Sequence, residues 1–391
     1  MKTNKPKTTL IPVYRNTAFH LVDIPTMKKA FSDEVEYKRD PELYIYSRYR
    51  NPNVAQAETM LMGIEDCKWS ILTQSGLSAI DTALSIFQEK GSSENWLFFS
   101  EIYGGTNQYI DSVLVNRRGL NIHRFLPDGD AYSIEKFEQL LKSTKPKVVF
   151  FEAISNPMLI ALDANDFIKK AKQYGAYVIV DNTFATPYLW KPLQNGADIV
   201  IHSVTKYLAG HGTISAGVLS GNDKSIEKSA LEYRKLVGHM LSPDDAARLC
   251  EQLKTYELRV EKQFKNAFVL AYFLNGHHKV ERVLYPGIES HPTHFNAFKL
   301  FNGKGYGAII TFDLAGSSFE DKQRKCSKFI ELLIHEIPLI PTLGDTETTL
   351  MPIEPVWGDK FPYPGMIRLS VGVENVNKLT DIIIKAFDNL D

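Results

Sequence analysis

The sequence predicts an α/β fold: a mostly parallel central sheet covered by helices on both faces, followed by a smaller α+β domain at the C-terminus. Three observations carry this reading. The runs KVVFFEAI (147–154), AYVIVD (176–181) and ADIVIHS (197–203) have strand length and no polar alternation. Strands that are apolar on both faces belong in a parallel sheet. Between the first two lies DANDFIKKAKQYG, with apolar positions at helical spacing, a capping-type start at Asp163 or Asn165 and a stop at Gly175. After Ser242-Pro243-Asp244 the text turns to one long helical stretch, DDAARLCEQLKTYELRVEKQFKNAFVLAYFL. It is followed by a strand-like YGAIITFDLAG, a helix KCSKFIELLIHEI and a last strand GMIRLSVGV.

Bulk properties bound the answer. A chain of 391 residues is long for one hydrophobic core, so two or three domains are expected. The division read from the pattern is an N-terminal segment (1–59), a large domain (60–244) and a C-terminal α+β domain (245–391). With 44% hydrophobic and 23% charged residues the chain reads as soluble and globular. A net charge of -1 gives no steering toward nucleic acid or membrane. The longest apolar runs fall far short of a membrane span. MKTNKPKTTLIPVY has no apolar signal-peptide core. Cys67, Cys250 and Cys326 are scattered and follow no metal-ligand spacing, so no metal is expected, and the compartment reads as reducing and cytoplasmic. The first 60 residues read as irregular, with Pro12, Pro25, Pro41 and Pro52 spread through polar text. Such a segment wraps over a surface, its own or a partner's. Helical periodicity begins near residue 54.

The chemistry gathers at the ends of the strands, where open α/β sheets bind ligands. KVVFFEAI runs into Ser155-Asn156-Pro157, AYVIV into Asp181-Asn182-Thr183, and ADIVI into His202 and then Ser203-Val204-Thr205-Lys206. A lysine amine forms a Schiff base with an aldehyde, a carboxylate keeps a pyridine nitrogen protonated, and hydroxyls donate to phosphate oxygens. Pyridoxal 5'-phosphate (PLP) carries all three groups. A lone lysine after a strand is ordinarily a solvated surface residue, and an aspartate there is ordinarily a turn former. Their occurrence on consecutive strand ends shifts the balance toward a site.

Two further clusters fit the same crevice. Ser75-Gly76-Leu77-Ser78 opens a helical run after WSIL, and the N–H groups of a helix start bind anions. Ser-Gly before a helix is more often only a cap. Tyr103-Gly104-Gly105-Thr106 follows WLFFSEI and offers a ring that could stack on a planar group, although a lone tyrosine there is usually packing. GKGYG (303–307) is no dinucleotide loop, because a strand and not a helix follows it.

These residues resemble the Cys/Met-metabolism PLP enzymes, a family of cystathionine γ-synthases, cystathionine β- and γ-lyases, methionine γ-lyases and O-acylhomoserine sulfhydrylases. The resemblance rests on AYVIVDNTFATPYLWKPLQNGADIVIHSVTKYLAGHG, and extends to YSRYRNPN, QSGLSAI, EIYGGT, ISNP, YPGIESHP and MIRLSVGVE. It implies PLP-dependent transferase fold type I and a homotetramer built from dimers with shared active sites. It implies that Lys206 binds the cofactor aldehyde and shuttles protons, that Asp181 pairs with the ring nitrogen, and that Asn156 sits near the cofactor's 3'-oxygen. Gly76, Leu77, Ser203 and Thr205 would hold the phosphate and Tyr103 would stack on the ring. Tyr46 and Arg48 would reach the phosphate of the neighbouring subunit. Arg368 would grip the substrate α-carboxylate, with Thr348 on the substrate side.

The implied activity is γ-replacement or γ/β-elimination on sulfur amino acids or O-acylhomoserine. The alternatives are a β-eliminating C–S lyase and, further off, a PLP aminotransferase. A non-catalytic module on the same fold is disfavoured by the intact Lys206, Asp181 and Arg368. The chain departs from the family at Thr213, where the family commonly has Asp. It departs again in LGDTETTLMPIEPVWGDKFPYPG, where Glu347-Thr348 stand for a Glu-Ser and the family's His-Pro is missing. Trp357 in this altered stretch is expected to narrow or reshape the substrate pocket.

Overall fold

The computed structural model describes residues 9–36, 43–89, 91 and 93–390. The first eight residues of the N-terminal segment and its stretch 37–42 lie outside them. The larger sheet has seven strands: β1 (Trp69–Thr73), β2 (Asn95–Phe99), β3 (Asn121–Phe125), β4 (Val148–Glu152), β5 (Tyr177–Asp181), β6 (Ile199–Ser203) and β7 (Gly217–Gly221). Their spatial order is β1-β7-β6-β5-β4-β2-β3. From β6 across to β3 every pairing is parallel. β7 runs antiparallel to both β6 and β1. The three apolar runs read in the sequence are thus neighbours, β4, β5 and β6, buried along nearly their whole length. The antiparallel β7 was not foreseen: its sequence, GVLSG, is short, bounded by glycines and carries a serine, so it gives little strand signal of either direction.

The smaller sheet is antiparallel: β8 (Val280–Leu284), β9 (Ile309–Leu314), β10 (Thr349–Pro352) and β11 (Met366–Ser370), in the order β10-β11-β9-β8. β9 and β11 correspond to the two strands read in the sequence. β8 and β10 went unread, because four or five residues with interleaved charges or prolines carry little periodic signal. One continuous apolar core reaches from Trp69 in β1 to Phe312 in β9, so both sheets share it.

Two expectations about helices are corrected. The N-terminal segment is not irregular throughout: Ile24–Val35 is a helix capped by Asp23, whose side chain accepts from the Thr26 N–H at 2.7 Å. Pro25 stands in its first turn, where a missing N–H costs nothing. The next helix, Pro52–Glu65, starts the same way: Asn51 caps it and Pro52 opens it. Of the prolines read as breakers, Pro25 and Pro52 are helix starters, Pro12 lies outside any helix, and Pro41 lies outside the described residues. The long stretch after Ser242 is two helices, Pro243–Leu253 and Tyr256–Asn275, separated at Lys254-Thr255. At that break the buried Arg259 guanidinium donates to the carbonyls of Gln252, Tyr207 and Leu208 at 2.9–3.1 Å. The Gln252 carbonyl at the interruption is thus met by a side chain.

Candidate active site

The sheet aligns one row of strand ends. β4 and β5 pair Glu152 with Asp181, and β5 and β6 pair Asp181 with Ile201. β7 pairs Gly217 with both Ser203 and Thr73. The chain runs from β2 outward to β3 and then returns to β4 on the other side of β2. Their carboxyl ends therefore flank a topological switch point, where α/β sheets open a crevice. A cavity of about 270 Å³ occupies it. Lys206, Asp181, Asn156, Tyr103 and Arg368 all line it, and so do Gly76, Leu77, Ser203 and Thr205.

The phosphate side is built by close packing. Ser75 caps the helix Gly76–Ser85, its hydroxyl accepting from the Ser78 N–H at 3.0 Å. The first-turn N–H groups of Gly76 and Leu77 have no partner within the helix and face the cavity rim. A Cβ at Gly76 would sit 3.1 Å from the Ser203 side chain. At Gly217 it would collide with the Ser75 carbonyl. Glycine at both positions lets the helix start approach the strand ends. Ser203 keeps its hydroxyl open to the cavity. Thr205 lines the cavity too, but its hydroxyl is engaged with Ala216, donating to the carbonyl at 3.1 Å and accepting from the N–H at 3.0 Å.

Asp181 is buried, and burial raises its carboxyl above the usual range. Thr183 opposes this, donating both its N–H (3.0 Å) and its hydroxyl (2.6 Å) to Oδ1. The same hydroxyl accepts from the Ser203 N–H at 2.8 Å, tying β5 to β6. Among the described residues nothing donates to Oδ2. Beside it, burial and then the Asp181 charge push Glu152 well up, favouring its neutral acid form. Glu152 accepts the Tyr103 N–H at 2.6 Å and so fixes the start of the helix Gly104–Tyr109. The Tyr103 ring, half exposed, lies back over Gly105, where a Cβ would strike it.

Lys206 follows β6 by three residues. Burial and then the Arg368 charge lower its amine to about 8, so that a base and an acid are both present near neutrality. Nζ donates to Thr342 Oγ1 at 2.7 Å. Arg368, in β11, is buried, and burial lowers its guanidinium to about 10. It donates to Asn156 Oδ1 at 3.2 Å and to the Thr342 carbonyl at 3.1 Å, while its Nε is buried without a partner. The peptide bond after Asn156 is cis.

Three expected residues stand elsewhere. Thr348 is corrected: it does not line the cavity. Its N–H and hydroxyl both donate to Glu374, and its hydroxyl accepts the Gly372 N–H at 2.9 Å. It braces the turn after β11. Tyr46 and Arg48 also lie away from this chain's cavity. Arg48 donates to the Lys235 carbonyl at 2.8 Å, with its guanidinium 5.7 Å from the Tyr46 ring and 5.1 Å from Tyr49. Sequence reasoning missed Thr342, which lies 136 residues from Lys206. It also missed Glu152, although a carboxylate at the end of an apolar run was a readable signal.

The donor set fits PLP. An unpaired carboxylate oxygen on Asp181 awaits a positive N–H, free helix-start N–H groups and the Ser203 hydroxyl await an anion, and a depressed amine awaits an aldehyde. Fold and site together define a fold-type I PLP-dependent enzyme. The family model described as Cys/Met metabolism PLP-dependent enzyme matches residues 2–388, and the chain belongs to that family. An L-methionine gamma-lyase of Fusobacterium nucleatum subsp. polymorphum is 35% identical, covering 86% of this chain and 84% of its own length. A cystathionine beta-lyase of Lactococcus lactis subsp. cremoris is 33% identical, with 88% of each covered. A crystal structure of cystathionine gamma-lyase from Lactobacillus plantarum superposes with a TM-score of 0.83 at 27% identity, covering 97% of this chain and 93% of that one. Among the described residues no helix is long and apolar enough to cross a membrane, and no group of metal-ligating side chains occurs.

Proposed function

We propose that this enzyme eliminates a sulfur substituent from the γ- or β-carbon of an L-amino acid such as methionine or cystathionine. γ-Replacement on an O-acylhomoserine would share the proton removals from Cα and Cβ, with the carboxylate leaving from Cγ and a thiol adding there in its place, whereas in elimination water only hydrolyses the released enamine to oxo acid and ammonia. The observation that carries the reading is the Lys206 amine: half-buried, lowered to about 8 and aimed by Thr342 within the Asp181–Arg368 cavity. When bound, the cofactor stores the electron pair left on Cα after proton removal. Asp181 would hold the ring nitrogen charged through Oδ2. Gly76, Leu77, Ser203 and Thr205 would hold the phosphate, Tyr103 would cover the ring, and Asn156 would sit beside the ring oxygen.

The chain's own residues then divide the work. Arg368 receives the substrate α-carboxylate on its unpaired Nε edge. That fixes Cα near Lys206, and the free amine removes the Cα proton. For departure from Cγ the same amine also moves a proton from Cβ. Half-burial of the amine among Ile154, Phe184 and Leu343 limits water at that step. Tyr46 and Arg48, exposed or engaged only locally in one chain, would complete the phosphate site of a neighbouring subunit in a homotetramer built from dimers. Within each subunit residues 1–59 would act as the wrapping segment, 60–244 as the cofactor domain and 245–391 as the substrate-side domain. Three cysteines, odd in number, scattered and free, support a reducing, cytoplasmic setting.

Product analysis tests the reading. PLP-loaded protein is given L-methionine, then L-cystathionine, and the oxo acid is identified. 2-Oxobutyrate means γ-cleavage and pyruvate means β-cleavage. If neither forms, and O-acylhomoserine with cysteine yields no thioether either, the proposed function is wrong. A requirement for an amino acceptor would point to an aminotransferase.

A further inference from the structure

The stretch that departs from the family folds into a short turn of helix, Glu354–Trp357, followed by Gly358–Lys360. Ile353 and Phe361 anchor it in a small apolar cluster with Leu284 and Met366. Trp357 packs against that cluster and meets Phe361 edge-on at 6.5 Å. Its N–H donates to the Ile353 carbonyl at 3.0 Å. The far end of the turn reaches the other domain: Lys360 Nζ lies 3.6 Å from Glu101 Oε1 and 3.4 Å from the Ser100 carbonyl, just past β2. The turn is therefore held by the smaller sheet at one end and by the residues after β2 at the other.

Trp357 does not line the cavity. Its indole lies 5.7 Å from the Arg368 guanidinium carbon, within cation–π range. Arg368 is only 4% exposed, yet among the described residues it has no carboxylate partner and its Nε has no acceptor. A buried guanidinium with an unmet donor is set to receive an anion. Asn156 and the Thr342 carbonyl fix two points of its plane, and the guanidinium carbon lies over the indole ring.

We propose that Trp357 is a positioning residue for the substrate α-carboxylate: it caps one face of Arg368 and holds the guanidinium so that its Nε edge meets the carboxylate in the plane. This rests on Arg368 as the carboxylate grip. Trp357 acts through Arg368 and so contributes to binding of any amino acid, and nothing to binding of an amine that lacks the carboxylate.

The test uses holoenzyme and two ligands that have no sulfur leaving group, L-alanine and ethylamine, titrated by the change in cofactor absorbance. In Trp357→Ala the L-alanine dissociation constant is expected to rise about 5- to 30-fold, the range of a lost cation–π contact of one to two kcal/mol. Ethylamine affinity is expected to stay within about twofold, well inside one tenfold step. Trp357→Phe, which keeps an aromatic face, should recover part of the loss. If Trp357→Ala fails to retain cofactor, Trp357→Leu keeps apolar bulk without a π face and replaces it. Equal weakening of both ligands means general loosening and overturns the proposal, as does an unchanged L-alanine affinity. Arg368→Lys separates the two levels. If it binds L-alanine as tightly as the unaltered enzyme, the carboxylate role of Arg368 itself is wrong. If only Arg368→Lys weakens L-alanine, the role of Trp357 alone is wrong.

Discussion

Replacing Thr342 by Val probes how the catalytic amine is held. The change keeps the β-branched shape and removes one hydroxyl. That hydroxyl accepts from Lys206 Nζ at 2.7 Å, the only hydrogen bond of the amine among the described residues. Among the described residues no carboxylate pairs with Lys206. Burial lowers it to about 8, and the Arg368 charge adds to the shift. The acceptor therefore stabilises the protonated amine and fixes its direction. A hydrogen bond to a charged group is worth about 1.5–3 kcal/mol. If the amine must be aimed for proton removal, that loss converts to a fall in kcat of roughly 10- to 150-fold. KM should change little, since Arg368 and not Thr342's side chain receives the carboxylate. Without its acceptor the amine should also titrate lower than about 8. Steady-state turnover of the accepted sulfur amino acid gives kcat and KM. Selective acylation of the cofactor-free protein over a pH series gives the amine titration. Thr342→Ser, which restores an acceptor, should recover most of kcat. A Thr342→Val enzyme that retains cofactor, turns over within twofold of the unaltered enzyme and shows the same amine titration would refute the reasoning.

Other outcomes follow from the same geometry. The Lys206 amine has a folded value near 8, below its unfolded value of 10.5, so its burial penalty is full at low pH and is relieved as pH rises through 8. Cofactor-free protein should gain up to about 3 kcal/mol of stability relative to Lys206→Met between pH 8 and 10.5. Denaturant melts of both proteins at several pH values check this, and parallel pH curves would contradict it. Thr348→Val should cost about 1–3 kcal/mol of stability by stranding the buried Gly372 N–H and Glu374. KM for the amino acid should be unchanged, and a raised KM with unaltered stability would restore Thr348 to the substrate site. Arg48→Ala and Lys206→Ala should each be inactive alone and regain activity when unfolded together and refolded, if the cofactor phosphate is completed across subunits. Persistent inactivity of the mixture, or a fully active monomer in sedimentation, would rule that out.

The sequence by itself determined the α/β class and the row of strand ends, because continuous apolar runs dictate buried strands and each run ends where polar residues begin. Asp181 and Lys206 were legible for that reason, and so were Asn156 and Ser203. The capping serine at 75 located the helix start that lines the cavity, because its signal is local. Tertiary structure decided the rest. Nothing near Lys206 in sequence announces Thr342, which the loop leading into β10 brings to 2.7 Å. Nothing near Thr348 tells whether it faces substrate or Glu374, since one residue of register in a turn moves a hydroxyl from the cavity to the interior. The short, glycine-bounded β7 gave no readable signal, yet its antiparallel direction brings Gly217 alongside both Ser203 and Thr73. Trp357 stood out only as a departure. Its place over Arg368 follows from how Ile353 and Phe361 anchor the turn on the smaller sheet. Local chemistry is written in consecutive residues, whereas a site assembled from two sheets depends on distances that only the packed chain defines.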